Sequence, residues 1–377
     1  AGLEAALGQM RCLSALARWE ELGELCRDTW RAADNAARFE MASIAAHGAW
    51  QLSNWSEMGE YVSVLEPEHG SAPVRHSAGR DTSMPSGASD GAFYSAVLSV
   101  HGRDFSTAQV RIEKARELLA TELAALVGES YERAYSNMVR VQQLAELEEA
   151  IEYIKLDQMT GCSANHAKCA ERKEIICEMW WNRLLGTHRD VNVWQSLLAV
   201  RRLALPPSEN LRTYLKFASL CRKTKRIRQS RATLIGLLGY EPSKIGSIVP
   251  PADSPIPRPP PHAVLGYLKF LWSSGRQQEA YENLRALTPE LRRSSDPVLV
   301  ARVMLKLGLW RWHLKHELDD AAVSDVLTAL RTATTVDRTW PKVSILHYIH
   351  AYLLGLILSE GTFCRRGTSG RFSMLRL

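Results

Sequence analysis

A basic run between Arg201 and Arg231 carries the residue types in this sequence that are best suited to binding a charged ligand. It holds ten Lys and Arg residues against one acid, Glu209. Such side chains donate charge-assisted hydrogen bonds to phosphate and carboxylate oxygens. The run therefore predicts either an anion-binding surface or helix faces whose charges are solvated. The ten cations are Arg201, Arg202, Arg212, Lys216, Arg222, Lys223, Lys225, Arg226, Arg228 and Arg231.

Two pairs of cations have helical spacing. Lys216 and Lys223 are seven positions apart, and Arg302 and Lys306 are four apart, so each pair lies on one face of a helix. Two helices that present paired cations can converge on one highly charged anion. A nucleic-acid backbone is an alternative anion. Few aromatic residues interleave with the cations, however, and no base-reading module is visible, so a nucleic-acid partner is not expected.

The cysteine and histidine residues do not form a recognisable metal site. Cys162, His166 and Cys169 have ligand-like spacing and Cys177 follows, but no second well-spaced pair completes the four ligands that zinc usually takes. The seven cysteines are scattered and odd in number, which is typical of reduced thiols in a cytosolic or nuclear protein. We therefore expect no metal here.

Catalytic patterns are also missing from the sequence. A protein kinase needs a glycine-rich phosphate cover, a catalytic Asp with a nearby Asn, and a metal-binding Asp. The sequence shows neither these nor a Walker-type phosphate loop, and no acid–base or nucleophile arrangement stands out among its 11 His residues and its carboxylates. We expect no catalytic residues and no catalytic cofactor; an enzyme in its own right is the alternative.

The composition is that of an ordinary soluble chain. Hydrophobic residues make up 46% and charged residues 23%, and the net charge is +6. No apolar run approaches the ~18–20 residues that span a bilayer. The chain begins without Met and enters a helical pattern at once, so we interpret it as a piece of a longer protein, and we expect exposed apolar end faces.

Amphipathic helices are expected to position these side chains. Ser106 predicts an N-cap that Gln109 completes as a capping box, and Gly128 predicts the end of that helix through a positive φ. Between them, apolar residues recur at steps of three and four on one helical face: Ala108, Ile112, Ala115, Leu119, Leu123 and Leu126. A second helix repeats the spacing at Ala134, Met138, Val141 and Ala145. Each helix buries one stripe and therefore needs neighbours.

An internal repeat supplies those neighbours. The segment WEELGEL, which begins at Trp19, recurs as WSEMGEY from Trp55, 36 positions later, and YLKF occurs at both Tyr214 and Tyr267. A Trp-x-x-Leu-Gly-x-x-Tyr pattern at a period near ~34 residues is typical of tetratricopeptide repeats. The match is partial, because the Tyr comes one position early here and the period is slightly longer. We expect each Trp to pack between the two helices of its pair and each Gly to allow their close approach. The predicted fold is all-α, a tetratricopeptide-like helical-repeat solenoid.

The positions of loop-forming residues predict how the chain is divided into helical repeats and loops. Helical repeats are expected over 1–65, 91–153, 174–240 and 263–359, which together form one domain. Three segments interrupt them: a flexible Gly-, Ser- and Pro-rich loop, an irregular insertion, and a Pro-rich loop that disfavours helix. These are 66–90, 154–173 and 241–262, and an irregular basic tail follows at 360–377.

Between about Gly8 and about Tyr352, the chain resembles the FAT domain of target-of-rapamycin (TOR) kinases. The segments that carry the resemblance are DGAFYSAVLSVHGRDF, IEKARELLATELAALVGESYERAYSNMVRVQQLAELEEAIEY, MWWNRL, LRTYLKFASLCRK, LKLGLW and DRTW. TOR proteins are serine/threonine protein kinases of the phosphatidylinositol-3-kinase-related class. Their FAT domain is a helical solenoid that curls around the kinase domain and braces it.

The resemblance implies a non-catalytic scaffold that acts in TOR signalling of nutrient and growth control. Its implied partners are the kinase domain of the same polypeptide and the subunits of the TOR complex. The implied location is cytoplasmic, with association to endomembranes or the nucleus through that complex. A free-standing tetratricopeptide-like adaptor for protein partners is the alternative.

The resemblance also implies a ligand. FAT domains of this family can hold inositol hexakisphosphate, an inositol polyphosphate, in a basic pocket. Ser273 stands where the family pattern leads us to expect another Lys, and Pro341 interrupts the helix before the last pocket residue. The resemblance places the pocket at Arg189, Lys216, Lys223, Arg302, Lys306 and Lys342.

Overall fold

The computed structural model describes residues 2–65, 87–159, 166–250, 255–292, 296–314 and 328. All regular secondary structure in these residues is helical, which confirms the all-α class. The helices are α1 Gly2–Ala15, α2 Trp19–Ala32, α3 Asn35–Gln51, α4 Trp55–Leu65, α5 Gly87–His101, α6 Phe105–Val127, α7 Tyr131–Met159, α8 His166–Gly186, α9 Val191–Arg201, α10 Leu211–Lys223, α11 Ile227–Leu238, α12 Pro242–Ile245, α13 Pro261–Ser273, α14 Gln277–Arg292 and α15 Pro297–Leu314. None of these helices is both long and apolar enough to cross a bilayer.

One type of tight turn recurs between paired helices. Five turns place their central residue at positive φ: Ala17, Ser53, Arg103, Lys225 and Gly275. In each of them the next N–H donates to the carbonyl five residues earlier, as Asn54 does to Ala49 at 2.8 Å. This is the Schellman arrangement that closes a helix with a left-handed residue. The repeated turn makes each helix–turn–helix pair a structural repeat.

The chain divides into two compact units, residues 1–233 and 234–377. In the first unit α1, α3, α5 and α7 contact one another in order, and α2, α4 and α6 each pack against the two members of that series that flank them in sequence. A continuous core runs through these helices, which confirms the helical-repeat architecture. In the second unit α14 packs between α13 and α15. Trp272 and Trp310 stack there with ring centroids 4.5 Å apart.

The repeated Trp residues pack differently from the expectation. The ring of Trp19 lies 5.3 Å from that of His47 on α3, and Trp55 stacks on His101 of α5 at 3.8 Å. Each Trp therefore contacts the following helix pair, because it begins the second helix of its own pair and faces the next repeat. A Cβ at Gly23 would lie 3.2 Å from Leu52 at the end of α3, so the close approach at Gly23 is to the following pair and not within its own pair.

At Gly59 the close-approach explanation is wrong, since a Cβ there would meet nothing within 4 Å. The capping prediction for α6 is also wrong. Asp104 caps the helix and accepts the Thr107 N–H at 3.1 Å, while Ser106 is already helical and donates to Asp104. Gly128 ends α6 at φ −67°, in the right-handed region.

The apolar stripe of α6 is buried as far as Leu119, whereas Leu123 and Leu126 are half-buried. The reason is that the neighbouring helix α5 is shorter than α6. Ser89, in the first turn of α5, donates a hydrogen bond to Glu122 of α6, so the end of α6 extends beyond the start of α5. On α7 the predicted stripe is buried at Ala134 only, and its other members are half-buried.

Helices extend into the three segments expected to be loops. Residues 87–90 belong to α5, 154–159 to α7 and 166–173 to α8, and α12 and the start of α13 lie within 241–262. Apolar residues at helical spacing are sparse at these ends, so punctuation alone made the three expected loops too long. The 360–377 tail lies outside the described residues, and the division into a single domain stays a prediction.

Candidate functional site

Helix α9 packs along α7 and contacts the C-terminal end of α3. It begins at Asp190, whose Oδ1 accepts the N–H groups of Asn192 and Val193 at 2.8 and 3.1 Å. Ala199 and Val200 join the core of the earlier helices. Gln143 of α7 donates to the Ser196 carbonyl at 2.9 Å and Gln195 donates to Gln51 of α3 at 3.2 Å. A helix of the same chain therefore packs along α7 and contacts the C-terminal end of α3.

A buried ion pair fixes this arrangement. Arg201 Nη2 and Nε donate to Glu146 Oε1 and Oε2 at 2.6 and 2.7 Å, and both side chains are shielded from water. Arg201 also lies 5.7 Å from the ring centroid of Trp180. The interpretation of Arg201 as part of an anion-binding surface is therefore wrong, because its guanidinium is already neutralised in the interior.

Three further cations of the basic run have structural partners. Arg202 donates to the carbonyls of Trp50 and Gln51 and to Ser53 Oγ. Arg226 donates to the carbonyl of Ala15 at 2.7 Å, and Arg212 pairs with Glu178. These residues join elements of the fold, and the basic run is not one continuous binding surface.

The acidic run of α7 binds three neighbouring helices. Glu146 pairs with Arg201 of α9, and Glu148 pairs with Arg116 of α6. Glu149 accepts hydrogen bonds from Trp180 and Arg183 of α8. Glu152 pairs with Arg172, which is also on α8. Sequence reasoning missed this role. The available signal was the placement of carboxylates on successive faces of one long helix, so that no single solvated face could hold them all.

The predicted inositol phosphate residues fall in both units. Arg189 is exposed beside the cap of α9, and Lys216 and Lys223 are exposed on α10, all in the first unit. Arg302 and Lys306 are half-buried one turn apart on α15 in the second unit. Each pair thus shares a helix face as expected. Ser273 at the end of α13 donates to the Lys269 carbonyl. Lys342 and Pro341 lie outside the described residues.

A polar cluster lies between α3, α5 and α7. Asp90 pairs with Arg140 at 2.7 Å and accepts from Ser43, and Arg140 lies over the ring of Phe93 at 4.1 Å. His47 Nδ1 lies 3.3 Å from the Tyr94 hydroxyl. Burial and the nearby Arg140 lower the pKa of His47 to about 4, against a smaller opposing effect of Asp90. The neutral imidazole therefore belongs to this packing.

Two cysteines of the described part of the chain are buried thiols with a raised pKa. Burial raises the pKa of Cys26 and Cys221 to about 12, so both remain thiols. In the suggested metal segment His166 is exposed, Cys169 is buried and Cys162 lies outside the described residues. The described part of the chain contains no group of three His, Cys, Asp or Glu side chains placed to hold a metal ion.

Comparison with known proteins agrees with this architecture. The chain is 45% identical over 359 residues to serine/threonine-protein kinase TOR of Arabidopsis thaliana. It is 42% identical over 359 residues to the same-named kinase of Oryza sativa subsp. japonica, and 36% identical over 351 residues to serine/threonine-protein kinase mTor of Drosophila melanogaster. These alignments cover 90% of this chain but only 13–14% of each relative.

The chain thus spans about a seventh of the length of those relatives. The family model described as FAT domain matches residues 42–353, which include the second half of α3 and all of α4 to α15. With this match across most of its length, the chain belongs to the FAT domain family.

Proposed function

We propose that this chain is the non-catalytic scaffold of a TOR-type serine/threonine protein kinase and that it braces the kinase domain of the same polypeptide. In that setting it acts in nutrient and growth signalling, in the cytoplasm and at endomembranes or the nucleus, together with the subunits of a TOR complex. The similarity to kinases named TOR supports this proposal, and so does the sequence, which carries no kinase constellation.

The packing of α9 is the observation that favours a brace over a free-standing adaptor. An adaptor of the tetratricopeptide type presents an open face to its peptide partners. Here α9 packs along α7 and against the C-terminal end of α3, and the buried Glu146–Arg201 pair fixes it there. A unit closed by its own helix is suited to transmit a fixed shape to a neighbouring domain.

The test uses the intact polypeptide that contains this chain. Arg201→Leu leaves Glu146 buried without its partner, and we expect it to lower phosphotransfer to a peptide substrate by about three-fold or more. Arg212→Leu, at an ion pair whose side chains are 63% and 57% exposed, is the matched control and should retain activity. Full activity of the Arg201→Leu polypeptide would contradict the brace, and phosphotransfer by the 377-residue chain alone would contradict the non-catalytic assignment.

We further propose that Arg189, Lys216, Lys223, Arg302, Lys306 and Lys342 hold inositol hexakisphosphate as a structural ligand. The exposure of Lys216 and Lys223 on one face of α10 supports this, as does the one-turn spacing of Arg302 and Lys306 on α15. A ligand with many phosphates matches several Lys and Arg donors at once.

Isothermal calorimetry tests this ligand. Lys216→Glu combined with Lys306→Glu is expected to abolish inositol hexakisphosphate binding and to remove the thermal stabilisation that a bound ligand gives. The matched control is Lys168→Glu with Arg285→Glu, which makes the same change in net charge at exposed residues outside the predicted pocket. An unchanged affinity in the Lys216/Lys306 variant would exclude this pocket.

A further inference from the structure

Two interhelical turns of the first unit lie side by side. Arg226 of the α10–α11 turn donates through Nη1 to the carbonyl of Ala15, at the end of α1, at 2.7 Å. Leu16 follows Ala15 and Lys225 precedes Arg226, so these two side chains lie on neighbouring turns. We call the exposed residues of this region the twin-turn surface: Arg11, Leu16, Lys223, Lys225 and Arg228.

The cations of the twin-turn surface differ in their binding partners from other cations of the basic run. Arg201, Arg202 and Arg212 bind groups of the fold. By contrast, Lys225 and Arg228 are exposed and form no ion pair with an acidic side chain in the described part of the chain, and the same is true of Arg11 and Lys223. A cluster of unpaired cations attracts an anionic partner.

An exposed apolar side chain lies among these cations. Leu16 is 62% exposed, although the neighbouring Leu13 is buried in the core. It sits directly before the left-handed residue Ala17, at φ 54°, so the tight turn holds Leu16 at the tip. The surface therefore offers one apolar contact on a turn that adjoins the exposed cations of the α10–α11 turn.

Lys225 occupies a backbone position that disfavours a side chain. Its φ is 63°, in the left-handed region, whereas the equivalent turn between α13 and α14 uses Gly275 at φ 92°. A residue with a Cβ is strained in that region, and glycine avoids most of that strain. Ala17, Ser53 and Arg103 occupy the same position in the other turns, so the left-handed residue is a feature of the repeated turn, and Lys225 places a cation at its tip.

We propose that the twin-turn surface binds an acidic peptide segment that places an apolar residue against Leu16. The cations supply charge-assisted hydrogen bonds to Asp and Glu side chains, and Leu16 supplies the apolar contact. A membrane surface fits less well, because one exposed Leu does not make the broad apolar face of an interfacial helix. Nucleic acid fits less well too, because the surface has no aromatic side chain on which bases could stack.

This interaction is additional to the brace and to the inositol phosphate pocket. Lys223 belongs to both the twin-turn surface and the predicted pocket, whereas the other residues of the surface do not, and the variants below leave Lys216 and Lys223 intact. The two proposals can therefore fail separately.

The experiment measures fluorescence anisotropy of a fluorescein-labelled 12-residue probe peptide in which Asp and Glu alternate with Leu, titrated with the full 377-residue chain. Lys225→Glu combined with Arg228→Glu should lower the affinity at least about ten-fold, and Leu16→Ser about three-fold. Lys168→Glu combined with Arg285→Glu makes the same change in net charge elsewhere and should leave the affinity within two-fold. Circular dichroism melts verify that every variant is folded.

Three outcomes would overturn the proposal. The first is an unchanged affinity in the Lys225/Arg228 variant while its melt matches that of the parent chain. The second is an equal loss in the Lys168/Arg285 control, which would show that only net charge matters. The third is binding to phosphatidylserine vesicles that depends on Lys225 and Arg228 while the acidic peptide does not bind.

Discussion

Glu146 of α7 and Arg201 of α9 meet in the interior of the first unit, where their side chains are 0% and 1% exposed. Two hydrogen bonds of 2.6 and 2.7 Å join the carboxylate to the guanidinium. The third nitrogen of Arg201, Nη1, finds no acceptor among the described residues. The pair thus connects the longest described helix to the helix that returns over it, and it does so with two charges taken out of water.

Removing one member of this pair is expected to destabilise the first unit strongly. Arg201→Leu or Glu146→Leu leaves a buried charge without its partner, which costs about 3–5 kcal/mol of the free energy of unfolding. Urea denaturation followed by tryptophan fluorescence measures this loss. Arg212→Ala, at the exposed pair with Glu178, is the control and should cost less than about 1 kcal/mol.

Replacing both members together should restore most of the stability. In Glu146→Leu with Arg201→Met no charge remains buried, and the unsatisfied Nη1 donor disappears as well. Buried ion pairs replaced by apolar residues of similar volume are often neutral within about 1 kcal/mol. A double variant as unstable as the single variants would show that the pair contributes more than mutual neutralisation.

The capping residue of α9 gives a smaller, separate prediction. Asp190 accepts two N–H groups of the first turn of α9, and loss of an N-cap side chain costs about 1 kcal/mol. Asp190→Ala should lower the free energy of unfolding by about that amount. Asp190→Asn retains an accepting oxygen and should change stability by only a few tenths of a kcal/mol. Equal losses in the two variants would contradict the capping role.

Three glycine positions should respond to alanine in different directions. A Cβ at Gly48 would lie 2.9 Å from Leu22, so Gly48→Ala is expected to cost about 1–3 kcal/mol through overpacking. A Cβ at Gly59 meets nothing within 4 Å inside α4, and Gly59→Ala should stabilise by about 0.5–1 kcal/mol. Gly275→Ala should destabilise, because its φ of 92° disfavours a side chain. Thermal melts of the three variants measure the order, and stabilisation at Gly48 would contradict the packing.

Local patterns predicted the repeats, but they did not predict how α9 packs. The spacing of Ala108, Ile112, Ala115 and Leu119 and the repeat of Trp19 at Trp55 depend on contacts between neighbouring elements, which periodicity records. The burial of Arg201 depends on a helix that lies 55 positions after its partner Glu146. A cation in a basic run looks the same in sequence whether it faces water or a carboxylate, so periodicity could not separate Arg201 from Lys216.

The imidazole of His47 should make the stability of the first unit depend on pH. Burial lowers the pKa of His47 to about 4, while the unfolded chain retains the ordinary pKa of 6.5. The native state therefore favours the neutral ring, and the stability linked to it is fully present above pH 6.5 and is lost as the pH falls towards 4. Each unit of difference in pKa corresponds to about 1.4 kcal/mol, so we expect a loss of about 2 kcal/mol between pH 7 and pH 4.5.

His47→Gln preserves a polar side chain but cannot bind the proton, and the difference in free energy of unfolding between the two proteins isolates this effect from other groups. Urea denaturation at half-unit pH steps measures it, and parallel pH profiles for the two proteins would contradict the assignment.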